Sequence, residues 1–335
     1  HPNDHVNLGQ SSNDVIPSTI HIAALCEIRE QLTPSLEKLR QALEDKSTTF
    51  MGISKIARTH LQDAVPIALG QEFSGYARQV ALAVGRIQSM EPRLAELAIG
   101  GTAVGTGMNT HPRFAAMVIS ALSAETAVHF VEAANHYEAQ AARDASVEAS
   151  GVLKTIAVSL TKIANDIRWL ASGPRCGIGE IRIPSLQPGS SIMPGKVNPV
   201  MSEVVLQAAA QVIGNDAAIT LAGQAGNFEL NVMLPLIAHN LLQSISLLSK
   251  SATLFCDKCI RGIEASEDRC RSFLEQSLAL ATALVPVIGY DRAAMVAKKA
   301  SETGRTIRET AIREKVLQEG EVHRILDEAL RAPKM

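Results

Sequence analysis

No proline interrupts the chain between Pro112 and Pro174, and the only glycines in that interval are Gly151 and Gly173. Within it Val152, Ile156, Leu160, Ile163, Ile167 and Leu170 recur at the spacing of one helix face. Residues 130–171 therefore predict one very long helix or two abutting ones, closed by Gly173 and Pro174 as a helix C-terminus should be. A helix of thirty or more residues outreaches a single compact domain, so its apolar face needs partners, and a homo-oligomeric bundle is predicted. The same reasoning predicts helices over 18–32, 34–50, 69–97, 199–222 and 235–259, then shorter ones over 269–283, 291–302, 307–313 and 321–330. Strand signals are scarce, because few segments alternate with β-branched residues. Aromatics make up 3% of the chain against 46% hydrophobic residues, so the core must be built from Ala, Leu, Ile and Val. That suits closely packed helices better than a β-sandwich. The expected fold is all-α: a central long-helix bundle over 12–262 and a small C-terminal helical domain over 263–335.

A formal net charge of −2 gives no reason to expect nucleic acid or an anionic membrane as partner. No apolar run is expected to reach the roughly 20 residues of a membrane span. Five cysteines stand at 26, 176, 256, 259 and 270, an odd and scattered set that reads as reduced thiols. Cys256 and Cys259 have CxxC spacing, but no second pair at zinc spacing accompanies them. His5, His21, His111, His129, His136, His239 and His323 also lack metal spacing. They read as structural or surface residues, and neither metal nor cofactor is expected.

The polar residues concentrate elsewhere. Pro188, Gly189, Ser190, Ser191, Ile192, Met193, Pro194, Gly195, Lys196, Val197, Asn198 and Pro199 run consecutively. Prolines at these positions exclude a regular helix or a central strand. The segment reads as a loop whose hydroxyls, amide and lysine converge on something small and anionic. Asn198 as N-cap and Pro199 in the first turn would place Lys196 and Asn198 at the positive end of a helix. A phosphate-binding P-loop is excluded: five residues separate Gly189 from Gly195, and Val197 follows Lys196.

Three further polar loops stand out. Ser11, Ser12, Asn13 and Asp14 precede Pro17 and read either as a helix cap or as part of a site. Thr59 and His60 lie within Arg58 to Pro66. Residues 100–110 are glycine-rich without the GxGxxG spacing of a dinucleotide site.

Taken together, these blocks resemble the fumarase/aspartase superfamily, whose signature loop matches Gly189 to Pro199, and within it class II fumarase. The resemblance extends to the blocks from Lys162 to Gly177, Gly226 to Val232 and His239 to Ser244. Aspartases usually carry Gln where this chain has His60 and Ala where it has Gly195, so both positions side with fumarase. The resemblance implies a homotetramer with a central multi-helix bundle and active sites shared between subunits. It also implies reversible hydration of fumarate to L-malate, with a proton leaving the carbon next to a carboxylate through an aci-carboxylate intermediate.

Carried over by that resemblance, Ser190 is the base. His60 positions or activates the water, with Glu203 orienting the ring; the alternative for Glu203 is an ordinary first-turn acid. Lys196 and Asn198 hold the substrate carboxylate, and Ser11, Ser12, Asn13 and Thr59 contribute hydrogen bonds. His1, Asn3 and Asp4 resemble a secondary carboxylate-binding segment, expected to fray at the chain terminus. The chain begins at His1 inside that segment and is expected to be a fragment or trimmed product, with 1–11 as the remnant of an N-terminal domain. The expected compartment is the cytoplasm or the mitochondrial matrix. Two alternatives stay open: an aspartate ammonia-lyase-like enzyme, and a catalytically impaired truncated form or scaffold.

Overall fold

The computed structural model describes residues 1–330. In chain order its elements are α1 (Pro2–His5), α2 (Ser12–Glu27), a π-helical turn (Ile28–Leu32), α3 (Thr33–Phe50), β1 (Ser54–Thr59), β2 (Gln62–Ala68), α4 (Leu69–Leu94), β3 (Glu96–Leu97), α5 (Phe114–Thr126) and β4 (Val131–Glu132). There follow α6 (His136–Ala141), α7 (Asp144–Leu170), β5 (Ile181–Arg182), α8 (Val200–Gly223), β6 (Gly226–Asn227), β7 (Leu230–Asn231) and α9 (Leu234–Lys258). The last elements are β8 (Glu264–Ala265), α10 (Glu267–Gln276), a 3-10 stretch (Leu278–Leu284), α11 (Val285–Ile288), α12 (Tyr290–Thr303), α13 (Ile307–Arg313) and α14 (Glu319–Ala329). Among the described residues the strands form only two-stranded ladders, so the architecture is all-α as expected.

The chain divides into two compact units. One comprises His1–Arg40, Arg78–Asp166 and Pro199–Lys258. Its core is built from aliphatic helix faces: Ala24, Leu25 and Ile28; Ile156, Ala157, Leu160 and Ile163; Val205, Ala209 and Val212; Ile237, Leu241, Ile245 and Leu248, all buried. Each fully buried Leu or Ile stabilises the fold by roughly 1.5–3 kcal/mol relative to exposure, so this small-residue stripe replaces the missing aromatics. α8 and α9 pack along each other and are joined by the β6–β7 hairpin. Asp216 of α8 accepts from Ser150 Oγ at 2.8 Å and Lys154 Nζ at 2.6 Å, both on α7.

The second unit comprises Gln41–Ala77, Ile167–Asn198 and the chain from Cys259 onward. The β1–β2 hairpin and α10 pack together here, and Phe50, Phe73 and Tyr76 meet edge to face at 5.3 and 5.6 Å. Leu280, Leu284, Val296, Ala300, Ile307, Ala311, Val322 and Leu326 form a core of their own under the last helices.

Several expectations are corrected. Residues 130–143 are not part of a long helix: Val131–Glu132 pairs in parallel with Glu96–Leu97, and Asn135 starts the short α6. The Asn135 side chain accepts from Tyr137 N–H at 2.9 Å and Glu138 N–H at 3.1 Å, an N-cap that the absence of Pro and Gly concealed. The helix that remains there is α7, at 27 residues. The predicted break before Pro34 is absent, since the wider π-helical turn carries the helix on into α3. Such a turn makes room for the ring of Pro34 and its missing donor. The expected helix 269–283 is instead α10 followed by the 3-10 stretch. Among the described residues one helix, Val200–Gly223, is long and apolar enough to cross a membrane, with mean hydropathy 1.3, which corrects the expectation that none is. That helix carries Glu203 and the ion-paired Asp216, and its apolar residues Val205, Ala209, Val212 and Ile219 are buried.

Candidate active site

Each cluster is built by local rules, beginning with the loop from Gly189 to Asn198 in the second unit. Ser190 Oγ accepts the N–H groups of Ile192 at 3.2 Å and Met193 at 3.0 Å. The loop closes on itself at its base, where Asn198 Nδ2 donates to Gly189 O at 2.8 Å. This bond overturns the expected N-cap: one N–H of the Asn198 amide goes to the loop, and α8 starts after Pro199 with no side-chain cap. Gly189 is required by that closure, because a Cβ there would lie 1.9 Å from the carbonyl oxygen of Lys196. Residues 191–197 are exposed, with Lys196 among them and Ser190 half-buried.

Thr59 and His60 sit on an unpredicted hairpin in the same unit. Thr59 pairs with Gln62, leaving His60 and Leu61 as a two-residue loop. Both have positive φ, 54° and 59°, as a type I′ turn requires. Between Ile56–Pro66 and Arg58–Asp63 the strand β1 advances two residues and β2 three, so a bulge adjoins the turn. His60 is thus an exposed side chain at the tip of a short, strongly twisted ribbon.

In the first unit Ser11 caps α2. Its side chain accepts Asn13 N–H at 3.2 Å, while Ser11 N–H donates to Asp14 Oδ1 at 3.0 Å. Asp14 is fully buried, and its Oδ2 accepts Gly100 N–H at 3.0 Å and Thr102 N–H at 2.9 Å. Asn13 Nδ2 donates to Ala103 O at 2.8 Å. The cap reading holds, and Asp14 also binds the Ser11–Asn13 segment to the glycine-rich loop. Sequence reasoning had noted Asp14 without giving it a role, although its place three residues after Ser11 is the capping-box signal. Ser12 is the first residue of α2, and Glu203 lies half-buried in the first turn of α8. His1, Asn3 and Asp4 form an exposed single helical turn, in which His1 Nδ1 accepts Asn3 N–H at 3.2 Å.

By this grouping Ser190, Lys196, Asn198, Thr59 and His60 belong to the second unit, and Ser11, Ser12, Asn13 and Glu203 to the first. Cys256 and Cys259 are both buried, and burial pushes the Cys259 thiol up to about 12, so it stays protonated. Among the described residues no three His, Cys, Asp or Glu side chains are grouped as metal ligands would be.

Comparison with known proteins gives a consistent answer. A family model described as lyase matches residues 1–214, and one described as fumarase C C-terminus matches 280–329. The class II fumarate hydratase of Nitrosomonas europaea is 59% identical over 93% of this chain and 68% of its own length. The mitochondrial fumarate hydratase of Rhizopus oryzae is 54% identical over 93% of this chain and 63% of its own. The crystal structure of class II fumarase from Schistosoma mansoni superposes with a TM-score of 0.94 at 40% identity, covering 98% of this chain and 72% of that one. The chain thus spans about two thirds of the length of these relatives. With the signature loop, the capped Ser11–Asp14 segment and matches of this extent in hand, the chain belongs to the class II fumarate hydratases, a family of lyases.

Proposed function

We propose that this chain catalyses the reversible hydration of fumarate to L-malate. The observation that carries the reading is the environment of Ser190 Oγ, which accepts two backbone N–H groups at 3.2 and 3.0 Å. A serine hydroxyl is far too weak a base unaided. Charge-assisted hydrogen bonds to an oxyanion contribute on the order of 1.5–3 kcal/mol each, so these donors favour the ionised oxygen that could take a C3 proton. Identity of 59% to a class II fumarate hydratase supports the same chemistry.

In the dehydration direction, the C3 proton of malate passes to Ser190 Oγ. The electron pair left behind moves into the adjacent carboxylate and forms the aci-carboxylate. The electron pair then returns to form the C2–C3 double bond as the C2–O bond breaks, and the departing hydroxyl takes a proton from His60 and leaves as water. Charge develops chiefly on one carboxylate, so fixed donors around it supply the largest stabilisation. Lys196 and Asn198 fill that role in this reading, with Ser11, Ser12, Asn13 and Thr59 as further donors. His60 activates the water, and Glu203 orients its ring. His1, Asn3 and Asp4 are kept as a secondary carboxylate site.

The homotetramer with sites shared between subunits is proposed from membership of the family alone. The cytoplasm or mitochondrial matrix remains the proposed compartment, as some relatives are named mitochondrial. The self-contained core over 280–326 supports a small C-terminal helical domain beginning near residue 263.

The test is fumarate absorbance after adding purified protein to L-malate, with L-aspartate in parallel. Fumarate from malate alone is expected. Fumarate from aspartate alone would make the chain an ammonia-lyase, and silence with both in a folded sample would refute the hydratase reading.

A further inference from the structure

Beneath the His60 turn lies a buried ionic cluster that the mechanism does not use. Glu180 is fully buried, just before β5, and accepts Arg58 in a fork: Nη1 to Oε2 and Nη2 to Oε1, both at 3.0 Å. Lys55, 1% exposed, reaches Glu180 Oε2 at 3.1 Å, Glu72 Oε1 at 2.7 Å and Ile56 O at 2.8 Å. Two cations thus face two carboxylates. Glu180 is itself held by its backbone, N–H to Leu170 O at 2.9 Å and C=O from Ser266 N–H at 2.8 Å. Burial, and then the Glu180 charge, push the neighbouring Cys270 thiol up to about 12, so this thiol adds no charge to the cluster. Arg58 lies 5.5 Å from the Phe273 ring, on the side of α10.

Desolvating such a cluster is costly, and an apolar core of the same shape would stabilise the fold as well or better. Arg58 is two residues from His60 and beside the bulge, and the turn beyond it holds two non-glycine residues at positive φ. Each such residue costs about 1–3 kcal/mol and persists only where its surroundings over-determine it. The fork is a geometry that only an arginine provides, and it fixes both position and tilt of the strand that carries the turn.

We propose that Arg58, locked by Glu180 and Lys55, is a positioning residue that sets the strained turn and aims His60. This rests on the reading of His60 as a reacting group. Arg58→Met removes the fork and leaves Lys55 facing both Glu180 and Glu72, so it is paired with Arg58→Lys, which keeps the charge balance. Loss of aim by about 1 Å lowers kcat by about 100-fold. The deciding measurement is a double-mutant cycle with His60→Asn in the malate assay, alongside thermal unfolding and peptide-resolved hydrogen exchange. Arg58→Met alone should lower kcat far more than it changes KM, and should cost less than about twofold when His60 is already Asn. Arg58→Lys, which keeps charge but not the fork, should recover only part of the rate. Additive losses, full recovery by lysine, or a rate loss that follows the unfolding midpoint would overturn the proposal. If the wild-type chain makes no fumarate, the hydratase reading fails. Exchange then decides the positioning separately: faster exchange confined to 58–63 in Arg58→Met supports it, and unchanged exchange overturns it.

Discussion

Replacing Gly189 with Ala separates the chemistry of the signature loop from the stability of the fold. The new Cβ would lie 1.9 Å from Lys196 O and 2.6 Å from Lys196 C, both backbone atoms that cannot rotate away. The two ends of the loop must part by roughly 1.5 Å to reach ordinary contact. The Asn198 Nδ2 bond to Gly189 O, now 2.8 Å, then passes out of hydrogen-bonding range. Its net loss costs about 1 kcal/mol. Because residues 191–197 are exposed, little core packing is lost with it. For a chain of this size that is a fall of about 1–2 °C in the unfolding midpoint. Displacing Ser190 by a similar distance should lower kcat/KM about 100-fold. The assay pairs fumarate absorbance with thermal unfolding of the same preparation. Full activity in Gly189→Ala would refute the claim that loop closure aims Ser190. A midpoint lowered by more than about 10 °C would refute the claim that the loop is energetically separate.

Other outcomes follow from the same geometry. His60→Asn should keep the turn, because Asn tolerates the φ of 54°, and should lower kcat by about 100-fold or more; an unchanged pH–rate profile with normal kcat would remove His60 from acid–base work. Leu61→Gly should stabilise by roughly 0.5 kcal/mol in urea unfolding, since relief of about 1–2 kcal/mol at φ 59° exceeds the added chain entropy. Burial, with the Arg143 charge second, lowers the His21 pKa from 6.5 to about 4. The unfolded chain therefore binds this proton first as pH falls, so stability present above 6.5 is lost progressively down to about 4. The loss amounts to about 3 kcal/mol, and denaturant titrations of His21→Gln should show about that much less stability lost across this window.

Helices were legible wherever apolar residues kept their period. Leu153 to Leu170 on α7 and Leu234 to Phe255 on α9 present such stripes, and their positions agree with expectation. The segment from Phe130 to Ala142 was misread because a cap made by one asparagine carries less signal than a proline. The hairpin at 54–68 escaped notice for a related reason: its turn uses His60 and Leu61 where Asn and Gly would announce it. At Asn198 the local rule was sound and lost to a competing partner nine residues away. The candidate residues were legible as residue types in four loops. The support beneath them was not, because Glu180 meets Arg58 across 122 positions and Asp14 meets Gly100 across 86. Such pairs depend on the tertiary path and leave no local pattern.

The most direct test of the central claim is proton NMR of fumarate incubated with the protein in D2O containing ammonium, with Ser190→Ala as the paired sample. The account predicts malate carrying one deuterium at C3, no aspartate, and no product from Ser190→Ala in a sample that remains folded. Aspartate in the wild-type sample, or labelled malate formed equally fast by Ser190→Ala, would contradict it.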